Sequence, residues 1–310
     1  MTINGAFMSV LTKAYYLPGA MVLAESLRAV GSKYPYVVLV STDFPEEGIA
    51  ALKNRGLTVG FIEVLQPTEG SRPKVAGDDL RFSDCWSKLR VYGMDEYDRV
   101  VLLDADMLVR RNMDELMEMD LPEGGIAASH PCVCNRRDPK FYPADWLPEN
   151  CAYTPLSHPS ALTEATEITE DCPRPHTLLN GGLIVFNPSK ELFQEISHYL
   201  FTSPLVPTFT RTDSDLLGHF FEGKYKPLPW MYNALKTLRT MHPDMWRDEE
   251  VRNVHYLRAD KPWLERVVKG KGGEYETLNQ WWWDTYENLE RDMKENDPEG
   301  LEYLLTTVAH

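Results

Sequence analysis

Asp104 and Asp106 stand two residues apart, directly after the apolar run Val100-Val-Leu-Leu103. A run that short and rich in branched side chains reads as a fully buried strand. In extended chain, residues two apart project to the same side, so both carboxylates leave the strand end together. They repel each other unless a cation sits between them. Hard oxygen donors at this spacing suit Mn²⁺, or Mg²⁺ in its place. An Asp-x-Asp also arises by chance where strands give way to turns. The pair therefore takes its meaning from the strand before it and from polar groups elsewhere in the chain.

Four such groups stand out. Lys88 and Arg90 lie on a predicted helix, Ser83 to Met94, that leads into the central strand. They reach the acidic pair if that helix packs on the sheet edge, and are otherwise solvated surface bases. Asn180-Gly181-Gly182 precedes a second buried run, Leu183 to Phe186. The glycines permit close backbone approach to a ligand, and a tight turn explains them equally well. Thr212-Asp-Ser-Asp215 opens a helix with Thr212 as its cap, and is more polar than capping requires. His255 follows a short apolar start, with Lys261 before Pro262-Trp263.

The elements that must position these groups follow from the apolar patterning. Phe7 to Leu11 reads as a first strand, followed by a helix with Pro18 at its start and a body from Ala20 to Val30. Tyr36 to Ser41 is a strand, Pro45 to Arg55 a helix closed by Gly56, and Leu57 to Val64 a third strand. Gln66 to Asp79 reads as a loop, Asn112 to Met119 as a short helix, and Gly125 to Ser129 as a strand. Ser189 caps a helix to about Phe201, and the charged stretch after Asn233 reads as helical. Strand-helix alternation argues for an α/β fold, a parallel sheet with helices on both faces. Between His130 and His176 the periodicity breaks down, which predicts a loop-rich insertion at 130–176. Trp281 to Trp283 and a charged helix to about Glu295 form a helical tail, whose tryptophans either pack it onto the body, the commoner role, or form a sugar platform.

Composition excludes several classes. The chain has 310 residues, of which 43% are hydrophobic, enough for one α/β enzyme core with insertions. Against 47 acids there are 32 bases, a formal net charge of -15. That balance argues against nucleic acid and against anionic membranes as partners. No stretch approaches the roughly 18 apolar residues of a membrane span, and the N-terminus lacks a signal-peptide pattern. The five cysteines are Cys85, Cys132, Cys134, Cys151 and Cys172. Cys132-Val-Cys134 is too tight for the usual zinc-finger spacing. The segment 132–172 has the cysteines for a disulfide or a metal, but free thiols in a reducing cytoplasm are the expectation.

Seven stretches, taken in order, resemble glycosyltransferase family 8 of the GT-A fold, the group of glycogenin and plant galactinol synthase. They are Thr12 and Tyr16 with Gly19-Ala-Met-Val-Leu23, Trp86-Ser-Lys-Leu-Arg90, Leu103-Asp-Ala-Asp106, Asn180-Gly-Gly-Leu-Ile-Val-Phe-Asn-Pro-Ser189, Thr212-Asp-Ser-Asp215, Leu228-Pro-Trp-Met-Tyr-Asn233 and His255-Tyr-Leu with Lys261-Pro-Trp263. The resemblance runs from about Ala6 to Trp263 and implies an α/β GT-A domain over 1–264, a Rossmann-like mixed, mainly parallel sheet flanked by helices, with 265–310 as a tail packing on it. It implies that Asp104, Asp106 and His255 hold Mn²⁺, which bridges the two phosphates of a UDP-sugar donor. Asp104 would also reach the ribose, and Ala105 lies between the two acids. Thr12 and Tyr16 would form the uridine pocket, and Arg81, Lys88 and Lys261 the bases near the donor. Asn180, Gly182 and Asp213 would line the transferred sugar, with Asp213, Lys88 and Asn180 at the reacting centre.

The residue types suit that chemistry. Cleaving a sugar–diphosphate bond builds negative charge on the leaving group, which a divalent metal and lysines stabilise. The anomeric carbon becomes positive, and a carboxylate such as Asp213 stabilises it. Retention of anomeric configuration is implied by the resemblance alone.

The chain departs from the family in four places. Arg258 stands where the family often has glycine, Ser214 where glutamine is frequent, and Lys13 where glycogenin has asparagine. No tyrosine lies between Tyr232 and His255, so self-priming at a tyrosine in that segment is not expected.

Two rival readings are weaker. Phosphatases of the haloacid dehalogenase type also place Asp-x-Asp after a buried strand, but usually the first one. Here three strands precede it, and Met107-Leu108 replaces the expected small hydroxyl residue. A non-catalytic sugar-nucleotide or glycan-binding protein would not need so complete a site. The sequence thus predicts a cytoplasmic, Mn²⁺-dependent, retaining hexosyltransferase using UDP-glucose or UDP-galactose. The acceptor is open between a polyol, a sugar, a lipid and a protein, and a homodimer is left open by the family's habit of pairing.

Overall fold

The computed structural model describes residues 3–73, 85–134 and 142–309. The first half follows the apolar runs: β1 (Gly5–Leu11), α1 (Leu17–Ala29), β2 (Tyr36–Ser41), α2 (Glu46–Asn54), β3 (Thr58–Ile62), β4 (Arg99–Leu103) and β5 (Met107–Val109). Then come β6 (Ile126–Ser129), α3 (Arg174–Thr177), β7 (Asn180–Phe186), α4 (Lys190–Thr202), α5 (Thr212–Phe220) and β8 (Tyr225–Pro227). The chain ends with β9 (Ala234–Leu235), α6 (Leu238–Met241), β10 (Asn253–His255), α7 (Glu276–Asn296) and α8 (Pro298–Leu304).

Seven strands form one sheet in the order β3-β2-β1-β4-β7-β6-β8. β3, β2, β1 and β4 run parallel, with Met8 beside Leu102, while β7 is antiparallel to both β4 and β6. Every residue of β4 is buried, as a strand covered on both faces requires. One face packs against α1, α7 and α8; the other packs against residues 85–93, α4 and α5. The result is the α/β architecture expected from the patterning, with loop turns between β6 and β7 and helices at the tail. A second, three-stranded sheet, β5-β10-β9, stands beyond the end of β4.

Several local expectations are corrected. The stretch read as an α-helix from Ser83 to Met94 is, in its described part, a 3₁₀ helix at Cys85–Gly93. Trp86, Leu89 and Tyr92 recur every third residue and are all buried, a row that three residues per turn aligns. The same winding puts Cys85 and Lys88 on one edge. Asn112 to Met119 is not a helix of that length: Asn112 Oδ1 accepts from the Asp114 N–H at 2.8 Å, leaving a single turn at Asp114–Met117. Thr212 does not cap α5. It lies inside the helix at φ 40, and Asp215 Oδ2 instead accepts from the Thr210 and Arg211 N–H groups, both at 2.9 Å. Between β9 and β10 the chain forms the one-turn α6 and a 3₁₀ turn at Asp248–Glu250, not a long charged helix. Ser189 does cap α4, accepting from the Leu192 N–H at 3.0 Å. Arg81, the start of the 83–94 stretch, the end of the 66–79 loop and residues 135–141 of the insertion lie outside the described residues.

The tail tryptophans pack. Trp282 and Trp283 are fully buried, and Trp281 lies under the Arg110 guanidinium at 4.0 Å. Trp282 contacts Trp263 at 5.8 Å between ring centroids and stacks on Tyr286 at 5.2 Å. Asp297 caps α8 and accepts from Asn54 Nδ2 at 2.9 Å, tying the tail to α2. No helix among the described residues is long and apolar enough to cross a membrane.

Candidate active site

Asp104 and Asp106 occupy the turn between β4 and β5. The Asp104 N–H donates to the Gly182 carbonyl at 2.8 Å, and the Tyr256 N–H donates to the Asp106 carbonyl at 2.8 Å. The turn is thus tied to the start of β7 on one side and to β10 on the other. In the small sheet, His255 pairs with Met107, next to Asp106. This register brings a residue far along the chain to the acidic pair. One ligand atom from each of Asp104, Asp106 and His255 falls within a common 4.8 Å. His255 Nε2 lies 3.8 Å from Asp104 Oδ2 and 3.5 Å from Asp106 Oδ1.

The tautomer of that histidine follows from its surroundings. Asn233 Nδ2 donates to Asn180 Oδ1 at 2.9 Å, which leaves Asn233 Oδ1 facing His255 Nδ1, also at 2.9 Å. An amide oxygen only accepts, so Nδ1 carries the proton and the Nε2 lone pair faces the carboxylates. Burial pushes the His255 pKa down to about 4, against the pull of Asp106, so the ring is neutral near pH 7. Two carboxylates and a neutral imidazole nitrogen therefore converge with no proton between them. This donor set fits a divalent cation, with Asn233 orienting the histidine from behind. Gly182 makes room for it: a Cβ there would stand 2.4 Å from His255 Cε1. Gly19, at the start of α1, does the same for the acidic turn, since its Cβ would stand 2.3 Å from the Ala105 carbonyl oxygen.

Two lysines balance the acids. Lys88 Nζ lies 2.5 Å from Asp104 Oδ1 and 3.5 Å from Asp213 Oδ2. Burial disfavours its ammonium, but Asp104 and Asp213 outweigh that and hold its pKa above the ordinary lysine value. Lys261 pairs with Asp106 and donates to the Tyr256 carbonyl at 2.9 Å. The two acids are poised differently. Burial, with Asp106 and Asp213 nearby, raises Asp104 to about 6 despite Lys88. For Asp106, burial is outweighed by Lys261 and His255, and its pKa lies below the usual carboxylate range.

These groups line a cavity of about 400 Å³. Thr12, Tyr16 and Ala105 border it on the α1 side; Asn180, Gly182 and Asp213 border it on the β7 side. The structure thus brings together every site residue expected from the sequence except Arg81, which lies outside the described residues. Behind Tyr16 stands Trp263, edge-on at 6.1 Å, so the tail's aromatic stack supports this wall. The opposite wall comes from the insertion: Tyr142 stacks on Trp146 at 4.9 Å, and the Arg211 guanidinium lies 5.5 Å from the Trp146 ring. Facing Tyr16, this pair gives the cavity a second aromatic surface, to which the tail tryptophans do not contribute.

Sequence reasoning missed Tyr142, Trp146 and Arg211, which no local pattern marks. It quoted Asn233 in a motif without assigning its role. Arg258, noted as replacing a frequent glycine, borders the cavity at φ 78, a left-handed conformation that explains the preference for glycine there.

Comparison with known proteins identifies the family and the fold. The family model "Glycosyl transferase family 8" matches residues 8–266. The chain is 31% identical to galactinol synthase 1 of Ajuga reptans over 292 residues, covering 91% of this chain and 80% of the relative. It is 30% identical to galactinol synthase 4 of Arabidopsis thaliana over 296 residues, covering 94% and 83%. Among solved structures, the galactosyltransferase LgtC in complex with donor and acceptor sugar analogs superposes with a TM-score of 0.60 at 19% identity, covering 91% of this chain and 95% of that one. The glycosyltransferase GlyE of Streptococcus pneumoniae superposes with a TM-score of 0.58 at 16% identity, covering 98% and 65%. These likenesses show the GT-A fold, and the family match makes the chain a member of glycosyl transferase family 8.

Proposed function

We propose that this protein moves a hexose, galactose or glucose, from a UDP-sugar to a small polyhydroxylated acceptor, with Mn²⁺ held by Asp104, Asp106 and His255. The observation that carries this reading is the convergence of two carboxylates and a neutral imidazole, flanked by two lysines, on a cavity within the size range of small-molecule sites. Bound there, the cation supplies electrostatic stabilisation of a diphosphate leaving group.

The chain's own residues do the rest. Lys88 and Lys261 add positive charge beside the leaving group and keep the acidic turn from repelling a diphosphate. Thr12 and Tyr16 hold the base and ribose end. Asn180 and Gly182 fix the sugar, and Asp213 stabilises positive charge as it develops at the anomeric carbon. Tyr142 and Trp146 give the acceptor an aromatic face, the kind of surface on which a polyol ring rests. The names of the galactinol synthases favour a cyclitol as the first acceptor to try. In this reading residues 1–264 form the transferase domain and 265–310 a tail that buttresses the uridine wall.

The test is a screen of UDP-glucose and UDP-galactose with Mn²⁺, scoring UDP release alone and with inositols, sugars and glycerol as acceptors. Transfer that is lost on chelation and in Asp104→Ala supports the reading. Donor binding without turnover toward any acceptor or water would instead make this a binding protein. Phosphate release from simple monoesters, with no affinity for UDP, would make it a phosphatase.

A further inference from the structure

A second cluster of metal-binding side chains lies outside the donor site. Cys132, Cys134, Cys151 and His242 place one ligand atom each within a common 4.8 Å. Their Sγ atoms lie 3.6, 3.3 and 3.5 Å from His242 Nε2. A tetrahedron with zinc–sulfur bonds of about 2.3 Å and zinc–nitrogen bonds of about 2.1 Å sets these atoms about 3.6 Å apart. The arrangement therefore has the dimensions of one mononuclear site. We propose that Cys132, Cys134, Cys151 and His242 bind a structural Zn²⁺ ion that fastens the insertion to the body of the enzyme.

The alternatives fit less well. All three cysteines are free thiols, and a disulfide between any two would strand the third beside a histidine with no chemistry to share. An iron–sulfur cluster would spread its ligands over two or more irons, whereas these four atoms close around one point. Three soft sulfurs and one imidazole, all within reach of a single ion, select zinc among divalent ions. A full set of four protein ligands leaves no open position, which marks a structural rather than a catalytic site.

The placement gives the ion a task. Cys132 and Cys134 follow β6, Cys151 follows a single turn at Pro148–Asn150, and His242 ends α6. Between β6 and β7 the described residues form only single 3₁₀ turns and the one-turn α3. Among the described residues no strand ladder holds this region, yet Cys151, Ala152 and Tyr153 are buried. Tyr153 packs edge-on to the His242 ring at 5.8 Å and donates its hydroxyl to the His130 carbonyl at 2.7 Å. A metal cross-link supplies the rigidity that backbone pairing does not. Cys132 also borders the donor cavity, and Tyr142 and Trp146 lie between Cys134 and Cys151 in sequence. The ion would thus hold the aromatic wall in place without touching substrate.

The experiment is metal analysis of full-length protein made in zinc-supplemented medium and freed of loosely held metal by gel filtration with a mild chelator. One zinc per chain is expected in wild type and in Asp104→Ala, whose donor site is disabled. Loss of that zinc is expected in Cys151→Ser and His242→Ala. Because those variants stand to lose their fold, cobalt(II) exchange into wild type decides independently. Intense d–d bands with thiolate-to-cobalt charge transfer support the site. Zinc-free wild type whose thiols react rapidly with a disulfide reagent overturns it, as does a pale octahedral cobalt spectrum or zinc that disappears with Asp104→Ala. These readouts need neither donor nor acceptor, so they stand apart from the proposed activity.

Discussion

Asn233 is the residue on which the metal reading can be tested most sharply. Its amide accepts from His255 and donates to Asn180, each at 2.9 Å, so one side chain holds both a proposed metal ligand and a proposed sugar-site residue. Asn233→Ala frees the imidazole to turn and removes the group that fixes its tautomer. Losing such an outer partner costs about 10–100-fold in metal affinity, or about 1.4–2.7 kcal/mol. Asn233→Asp separates the two tasks. A carboxylate still accepts from Nδ1, so Mn²⁺ affinity stays near wild type. It cannot donate to Asn180, so KM for the sugar donor rises. The assay is Mn²⁺ titration in the presence of UDP, followed by calorimetry or by loss of the free-ion EPR signal, with a thermal melt of each variant to confirm folding. A folded Asn233→Ala that binds Mn²⁺ as wild type does refutes the argument, as does equal weakening by both substitutions.

Four further outcomes are expected. Gly182→Ala places a methyl 2.4 Å from His255 Cε1 and should weaken Mn²⁺ binding by about tenfold or more, measured by the same titration. Arg258→Gly relieves a left-handed arginine and should raise stability by about 1 kcal/mol in urea melts, while raising donor KM as a cation leaves the cavity. Trp146→Ala removes the insertion's aromatic face and should raise acceptor KM by about tenfold, the equivalent of about 1.4 kcal/mol of ring contact. For Asp215, burial is outweighed by Arg211 and the N–H groups it accepts from, so its folded pKa lies below the ordinary value. Its stabilisation is present above about pH 4 and is lost as pH falls through the folded pKa. Asp215→Asn should therefore cost about 1.5–3 kcal/mol at pH 7, with a gap in urea midpoint that closes in acid.

What the sequence disclosed depended on how local the cause was. Asp104 and Asp106 are legible because a buried strand and its two acids are contiguous. The parallel half of the sheet is legible for the same reason, since each strand and helix carries its own pattern. His255 looks unremarkable by itself, and only the family resemblance gave it a role; the strand pairing with Met107 that moves it into place is tertiary. Asn233 was invisible as a positioning residue because its two partners lie on β7 and β10. Over nine residues, periods of 3.0 and 3.6 can scarcely be told apart, so Cys85–Gly93 was read as the commoner helix. Thr212 looked like a cap because caps are recognised by residue type, while the capping contacts here come from Asp215, inside the helix. The cysteine cluster was missed as a unit because its fourth ligand, His242, lies beyond the insertion that holds the other three.

The ladder that joins Met107 to His255 also sets a time order. As the polypeptide emerges during synthesis, its aspartate couple is complete long before the imidazole and Lys261 exist. Until then Lys88 is the only one of the two lysine partners present, and Asp106 faces Asp104 without its own ammonium. Once Pro227 has been made, every strand of the seven-stranded sheet has been synthesised, while the proposed donor cleft is still electrostatically unfinished. A message cut short before residue 253 would yield a protein with most of its strands but without the histidine and lysine that the proposed metal site needs.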